Sequence, residues 1–202
     1  KAKAVSPSKR SASGSSVRSR SLSPNKEEDN ALGDIIIPEA AIPIGEARQE
    51  ITKFRQRFMT SGTSCAISGL GKSWFSSLAI GPAIQAAHIV PQVHYHLYPP
   101  GPGRVIPDPE DVSQLRTAWL STWSISNGIL LANHLHQLFD ARLVSFHPRT
   151  LGIRAFAPYD LITPHHGRVA TLDKKNLPDR NALQHHWDTC CIENMAAVSR
   201  II

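Results

Sequence analysis

The chain has 202 residues, of which 41% are hydrophobic and 19% charged, and its 22 Lys and Arg against 16 Asp and Glu give a formal net charge of +6. That length leaves room for one domain plus a tail, and the apolar share is enough for a real core. No apolar run approaches the ~18 residues of a membrane helix, so no membrane partner is expected. The first residues are too polar for a signal peptide, although a chain that opens on Lys1 rather than Met leaves a cleaved segment open.

Residues 1–31 are rich in Ser, Lys and Arg with no apolar period, so they are expected to be disordered. Seven Lys and Arg against three acids give this tail +4 of the chain's +6. Such a tail suits attraction to phosphate backbones, or serves as a solvating linker or nuclear import signal, which points to an intracellular, nucleus-compatible protein. Ser6-Pro7 and Ser23-Pro24 look like phosphorylation sites that would weaken the attraction.

A flanking segment, 32–62, carries a predicted helix from Glu46 to Thr60, where Ile51, Phe54, Phe58 and Met59 recur at helical spacing. Strands are predicted at Cys65–Ile67, around Trp74–Leu78 and at Ile84–Val90. The Pro- and Gly-rich stretch 91–111 reads as a long irregular loop. A helix follows from Val112 to Trp119, with Trp119 and Trp123 expected in the core. Leu130, Leu131, His134, Leu135, Leu138 and Phe139 then suggest a short amphipathic helix. Leu143–Phe146 and Ile153–Ala157 alternate around a turn as a hairpin. Asp179 is expected to cap a last helix, Arg180 to Val198, with Leu183, Trp187, Cys190, Cys191 and Met195 facing the core.

Chemistry concentrates in two stretches. On the predicted helix ending at Asp140, His136 and Asp140 stand four residues apart and point the same way. An imidazole and a carboxylate so placed can hold Mg²⁺, Mn²⁺ or Zn²⁺ and leave positions for water and substrate oxygens. Alone, such a pair is more often a surface hydrogen bond, and His88, in Ala87-His88-Ile89-Val90-Pro91, alone reads as a satisfied core histidine. The combination and its spacing outweigh either reading.

Other chemistries fall away. Gly69-Leu70-Gly71-Lys72-Ser73 ends like a phosphate-binding loop, but Ala66 stands where that pattern needs Gly, so a turn is expected. Cys65, Cys190 and Cys191 cannot build a four-cysteine zinc site and are expected as buried free thiols. No G-x-S-x-G elbow occurs. The remaining histidines, the pairs His94 with His96, His165 with His166 and His185 with His186 among them, read as solvated or core residues.

Four blocks in order, CAISG from Cys65, AHIVP from Ala87, NGILL from Asn127 and LHQLFD from Leu135, resemble the HNH endonuclease family. The nine-residue step from Asn127 to His136 agrees with it, and the likeness runs to about Tyr159. GPAIQAAHIVPQ, APYD and HHWDTCCIENMAA also resemble fungal proteins that carry this domain. The resemblance implies an α+β fold with a ββα-metal (His-Me finger) core over 63–160, flanked by a C-terminal helical extension, 161–202. It implies His88 as general base and Asn127 as the residue that holds the loop and orients His88. It makes His136 a metal ligand, and Asp140 falls where some members have a second. Mg²⁺ is the expected cation, with Mn²⁺ or Zn²⁺ as alternatives.

Many family members place an Asp, Glu or His directly before the base; this chain has Ala87 there. The function implied is metal-dependent hydrolysis of phosphodiester bonds, in DNA first. A catalytically weakened module that binds nucleic acid or protein is the alternative, and a purely structural domain the third reading. His134, Arg142 and Arg154 are candidate nucleic-acid contacts. Strandedness, RNA against DNA, and oligomeric state stay open.

Overall fold

A computed structural model describes residues 42–61, 64–71, 84–98, 101 and 106–198. The predicted tail and the strand expected around Trp74–Leu78 lie outside the described residues, as do Lys72 and Ser73.

Helix α1 (Ile44–Ser61) leads to strand β1 (Ile84–His88), a 3-10 turn (Gln92–Leu97) and helix α2 (Val112–Ser121). Asp111 starts α2 by accepting from the backbone N–H groups of Ser113 and Gln114, which satisfies donors with no partner inside the helix. Strand β2 (Gly128–Ala132) follows a short 3-10 turn (Ile125–Asn127) and runs directly into helix α3 (Asn133–Asp140). Strands β3 (Val144–Phe146) and β4 (Ile153–Ala155) form the expected antiparallel hairpin. Helix α4 (Arg180–Val198) closes the described chain, with Asn181 N–H on the Asp179 carboxylate at 3.2 Å. The class is α+β, as expected. No helix among the described residues is long and apolar enough to cross a membrane.

β1 and β2 pair antiparallel, with His88 opposite Gly128 and Ile84 opposite Ala132. Because strand side chains alternate between faces, this ribbon divides the interior. On one face, Ile84, Ala86 and Leu130 meet Phe54 and Phe58 of α1, Trp119 of α2 and Trp123 just after that helix. On the other, Ala87, Ile129 and Leu131 join Leu135, Phe139, Val144, Phe146, Ile153 and Leu183. Gly128 is needed where the first face is tightest, since a Cβ there would run into the rings of Phe58 and Phe54.

Several elements differ from expectation. Leu130 and Leu131 lie in β2, not in the helix, which begins at Asn133. All five β2 residues are buried, so the strand lacks the alternation that would mark it. The strand expected at Cys65–Ile67 is a turn: Cys65 N–H reaches Leu70 O and Gly69 N–H reaches Cys65 O, both at 2.8 Å, although Ala66 still bridges Leu130 and Thr171. β1 ends at His88 rather than Val90 because the Asn127 side chain, not a strand partner, takes the Val90 backbone. The Pro-rich stretch contains the 3-10 turn. Met195 is 71% exposed rather than in the core, while Cys65 and Cys190 are buried free thiols. Burial above all pushes the Cys190 thiol up to about 12.

Candidate active site

His88 is the last residue of β1 and faces the aromatic side of the ribbon. Its ring stacks on Phe54 at 4.2 Å and meets Trp123 edge-on at 4.9 Å. This setting, with the charge of His136 as a lesser cause, lowers the imidazole to about 3, because the aromatic clamp penalises the charged form. His88 is therefore neutral near pH 7, the state that accepts a proton. The Gln92 side-chain nitrogen lies 2.8 Å from Nδ1 and 2.7 Å from Nε2, so it donates to whichever nitrogen holds the lone pair.

Asn127 is fully buried. Its Oδ1 accepts from Val90 N–H at 2.9 Å, and its Nδ2 donates to Val90 O and Thr122 O at 3.0 Å each. Its backbone carbonyl takes Ile89 N–H at 2.9 Å. Asn127 thus grips the two residues after His88 and ties them to the end of α2; it bonds the loop, not the imidazole.

His136 and Asp140 face each other on α3, Nε2 to Oδ2 at 3.2 Å. Two donors at about 2.1 Å in neighbouring positions on one cation stand about 3.0 Å apart, so this pair needs little movement to share one. The other His136 nitrogen donates to Gln85 Oε1 at 3.0 Å, which leaves Nε2 as the nitrogen that could bind a metal, with the ring held as metal-bound imidazoles usually are. The donor set therefore fits a divalent cation. Partial desolvation raises the Asp140 carboxyl above its ordinary value, opposed by the charges of His136 and Arg142. Among the described residues no group of three or more His, Cys, Asp or Glu could hold a metal, and Ala87, buried on the α3 side of β1, adds a methyl only.

A cleft of about 280 Å³ opens beside these groups, lined by His88, His94, Asp140, Arg142, His186 and Glu193 among others. The fold thus brings His88, Asn127, His136 and Asp140 together, with Arg142 on the cleft wall. His134 is exposed, and its charge acts on His165. Arg154 is exposed and lies over the Phe156 and Trp187 rings at 5.2 and 5.8 Å. Neither is part of the cleft lining.

Residue reading alone missed four contributors. Gln85 had no motif, but stands two strand positions from Ala87 and so on the same face. Phe54 and Trp123 read as ordinary core. His186 is buried on α4, stacked on Phe139 at 3.8 Å. It accepts from Ser145 Oγ–H at 2.8 Å and donates Nε2–H to Phe139 O at 3.2 Å, so it fastens the end of α3 to α4. Burial, the largest cause, lowers it to about 4.

Residues 65–147 match the family model described as HNH endonuclease. A search of curated proteins returns no match. Among solved structures the chain is similar to a modification dependent TagI restriction endonuclease at 15% identity and a TM-score of 0.41, over 68% of this chain. It spans 37% of that protein's length. The family match supports a nuclease, and helix α4 lies beyond the matched residues.

Proposed function

We propose that this protein is a metal-dependent endonuclease of the ββα-metal type that hydrolyses phosphodiester bonds in DNA. The observation that carries this reading is the 3.2 Å approach of His136 Nε2 and Asp140 Oδ2, with the other imidazole nitrogen held by Gln85. In the reaction, neutral His88 takes a proton from the attacking water, and the negative charge of a bound phosphate raises its basicity from the low value of the free protein. Asn127 keeps the His88 backbone in place through Val90. His136 and Asp140 hold the divalent cation, Mg²⁺ first. When bound, the cation supplies Lewis-acid stabilisation of charge on the scissile phosphate and the departing oxygen. His134, Arg142 and Arg154 are the candidate contacts to neighbouring phosphates.

A second reading, a binding module with weakened catalysis, is favoured by one observation: Ala87 offers no third donor beside the pair. Supercoiled plasmid incubated with wild type and His88→Ala, each with Mg²⁺, with Mn²⁺ and with chelator, separates the two. The nuclease nicks only with metal and only with His88 present, with a loss of about 10²–10⁴-fold in the variant. Equal nicking by both proteins, or none by either, supports the binding module.

A further inference from the structure

Arg142 stands two positions beyond α3, after the capping Ala141, with φ +60°, a left-handed conformation that glycine usually supplies at helix ends. The backbone there makes the full set of C-terminal bonds: Arg142 N–H to Phe139 O at 2.9 Å and Leu143 N–H to Leu138 O at 3.0 Å. Glycine would satisfy that turn with less strain, since a Cβ crowds the backbone in this region. The side chain therefore serves some other end. Its guanidinium reaches across the cleft wall to Glu193 of α4, Nη1 to Oε1 at 2.9 Å and to Oε2 at 3.2 Å. Asn194 on the same helix donates to Arg142 O at 3.1 Å. Helix α4 thus holds Arg142 by both backbone and side chain, at the edge of a cleft that His88 and Asp140 also line.

Both Glu193 oxygens sit on the one nitrogen Nη1, so the carboxylate competes for a donor, and for the positive charge, that a phosphate would use. We propose that Glu193 is a latch on Arg142, displaced when a nucleic-acid strand enters, so that Arg142 seats the backbone phosphate next to the scissile one. This rests on the nuclease reading for the position of the scissile phosphate. The cleft is small beside typical ligand pockets of ~300–1,000 Å³, which suits one backbone linkage rather than an enclosed base. His94, which also lines the cleft, is held below its ordinary value by burial first and then by Arg142 and His96. It is neutral near pH 7 and offers an N–H rather than a second charge. Before a strand arrives the cleft carries Asp140 and Glu193 against Arg142. Its carboxylates weaken phosphate entry, and displacement of Glu193 lifts one part of that repulsion. The latch makes entry conditional, and α4, outside the family-matched residues, supplies it.

The test is fluorescence anisotropy of a short labelled DNA duplex in chelator, where no cleavage occurs, with the full chain across a salt series. Glu193→Gln is expected to tighten binding roughly fivefold, the scale of one part-exposed ion pair. Arg142→Gln weakens binding and lowers the salt slope by about one. The double variant behaves as Arg142→Gln, because the latch has nothing left to release. Asp188→Asn, an equal charge change on an exposed face of α4 outside the cleft, measures the effect of net charge alone. The proposal is overturned if Glu193→Gln gives no tightening, if Asp188→Asn tightens as much, if the gain persists without Arg142, or if no protein binds. Plasmid nicking is read separately. A chain that nicks but shows no Arg142-dependent gain loses the latch and keeps the nuclease; one that shows the gain but never nicks keeps the latch as a property of a binding module.

Discussion

The two faces of the β1–β2 ribbon hold their halves of the site by opposite means. On the α1–α2 side His88 is clamped between Phe54 and Trp123, and its following loop is bonded by the buried Asn127. On the α3 side His136 and Asp140 are partly open to solvent and positioned by single polar contacts from Gln85 and from each other. An aromatic clamp fixes geometry and keeps an imidazole neutral. An open pair leaves room for a cation, waters and a phosphate. The difference predicts that removing the buried Asn127 bonds of the first face unfolds the protein along with the site, whereas damage to the second removes chemistry from an intact fold.

The largest effect is expected at Asn127. Asn127→Ala leaves the Val90 N–H and C=O and the Thr122 carbonyl without their buried partner, a cost of roughly 3 kcal/mol or more. Urea unfolding and plasmid nicking should both collapse; an unchanged midpoint would mean the loop after β1 holds without it. Next comes the fastening of α3 to α4. Burial sets His186 near 4, below its ordinary 6.5, so the unfolded chain takes up that proton first as pH falls. Its stabilising effect is full above about pH 6.5 and disappears between 6.5 and 4, on the order of 3 kcal/mol. His186→Gln should flatten the melting temperature across that window, and a variant with the wild-type pH dependence would assign the loss to other groups.

Gln85→Ala should act on chemistry alone. It releases His136 Nδ1 and weakens metal affinity by about 10–100-fold, while the melting temperature without metal barely moves because Gln85 is exposed. An equal loss of stability would erase the distinction between the faces. The smallest effects belong to His134→Ala and Arg154→Ala, outside the cleft. Each should lower the salt slope of DNA binding by no more than about one, and a slope unchanged in both removes them from the interface.

Much of this was legible in residue order, for identifiable reasons. The α1 and α2 spans emerge from apolar spacing, the α4 start from Asp179, and the hairpin from alternation around a Pro- and Gly-bearing turn. β2 was misread because a strand buried on both faces looks like any apolar run, and only pairing with β1 tells it from a helix turn. His136 and Asp140 were visible because helical spacing is local. Gln85, Phe54 and His186 were not, since their roles arise from contacts across 34 to 51 positions that no local period encodes. Glu193 reads as one more exposed acid until Arg142, strained at a helix end, is seen holding it.

The most direct test of the two-faced site is calorimetric titration of Mn²⁺ into wild type, His88→Ala and His136→Ala without nucleic acid. The account predicts one cation bound by wild type and by His88→Ala with similar affinity, and none by His136→Ala. Undiminished binding by His136→Ala, or no binding by wild type, would contradict it.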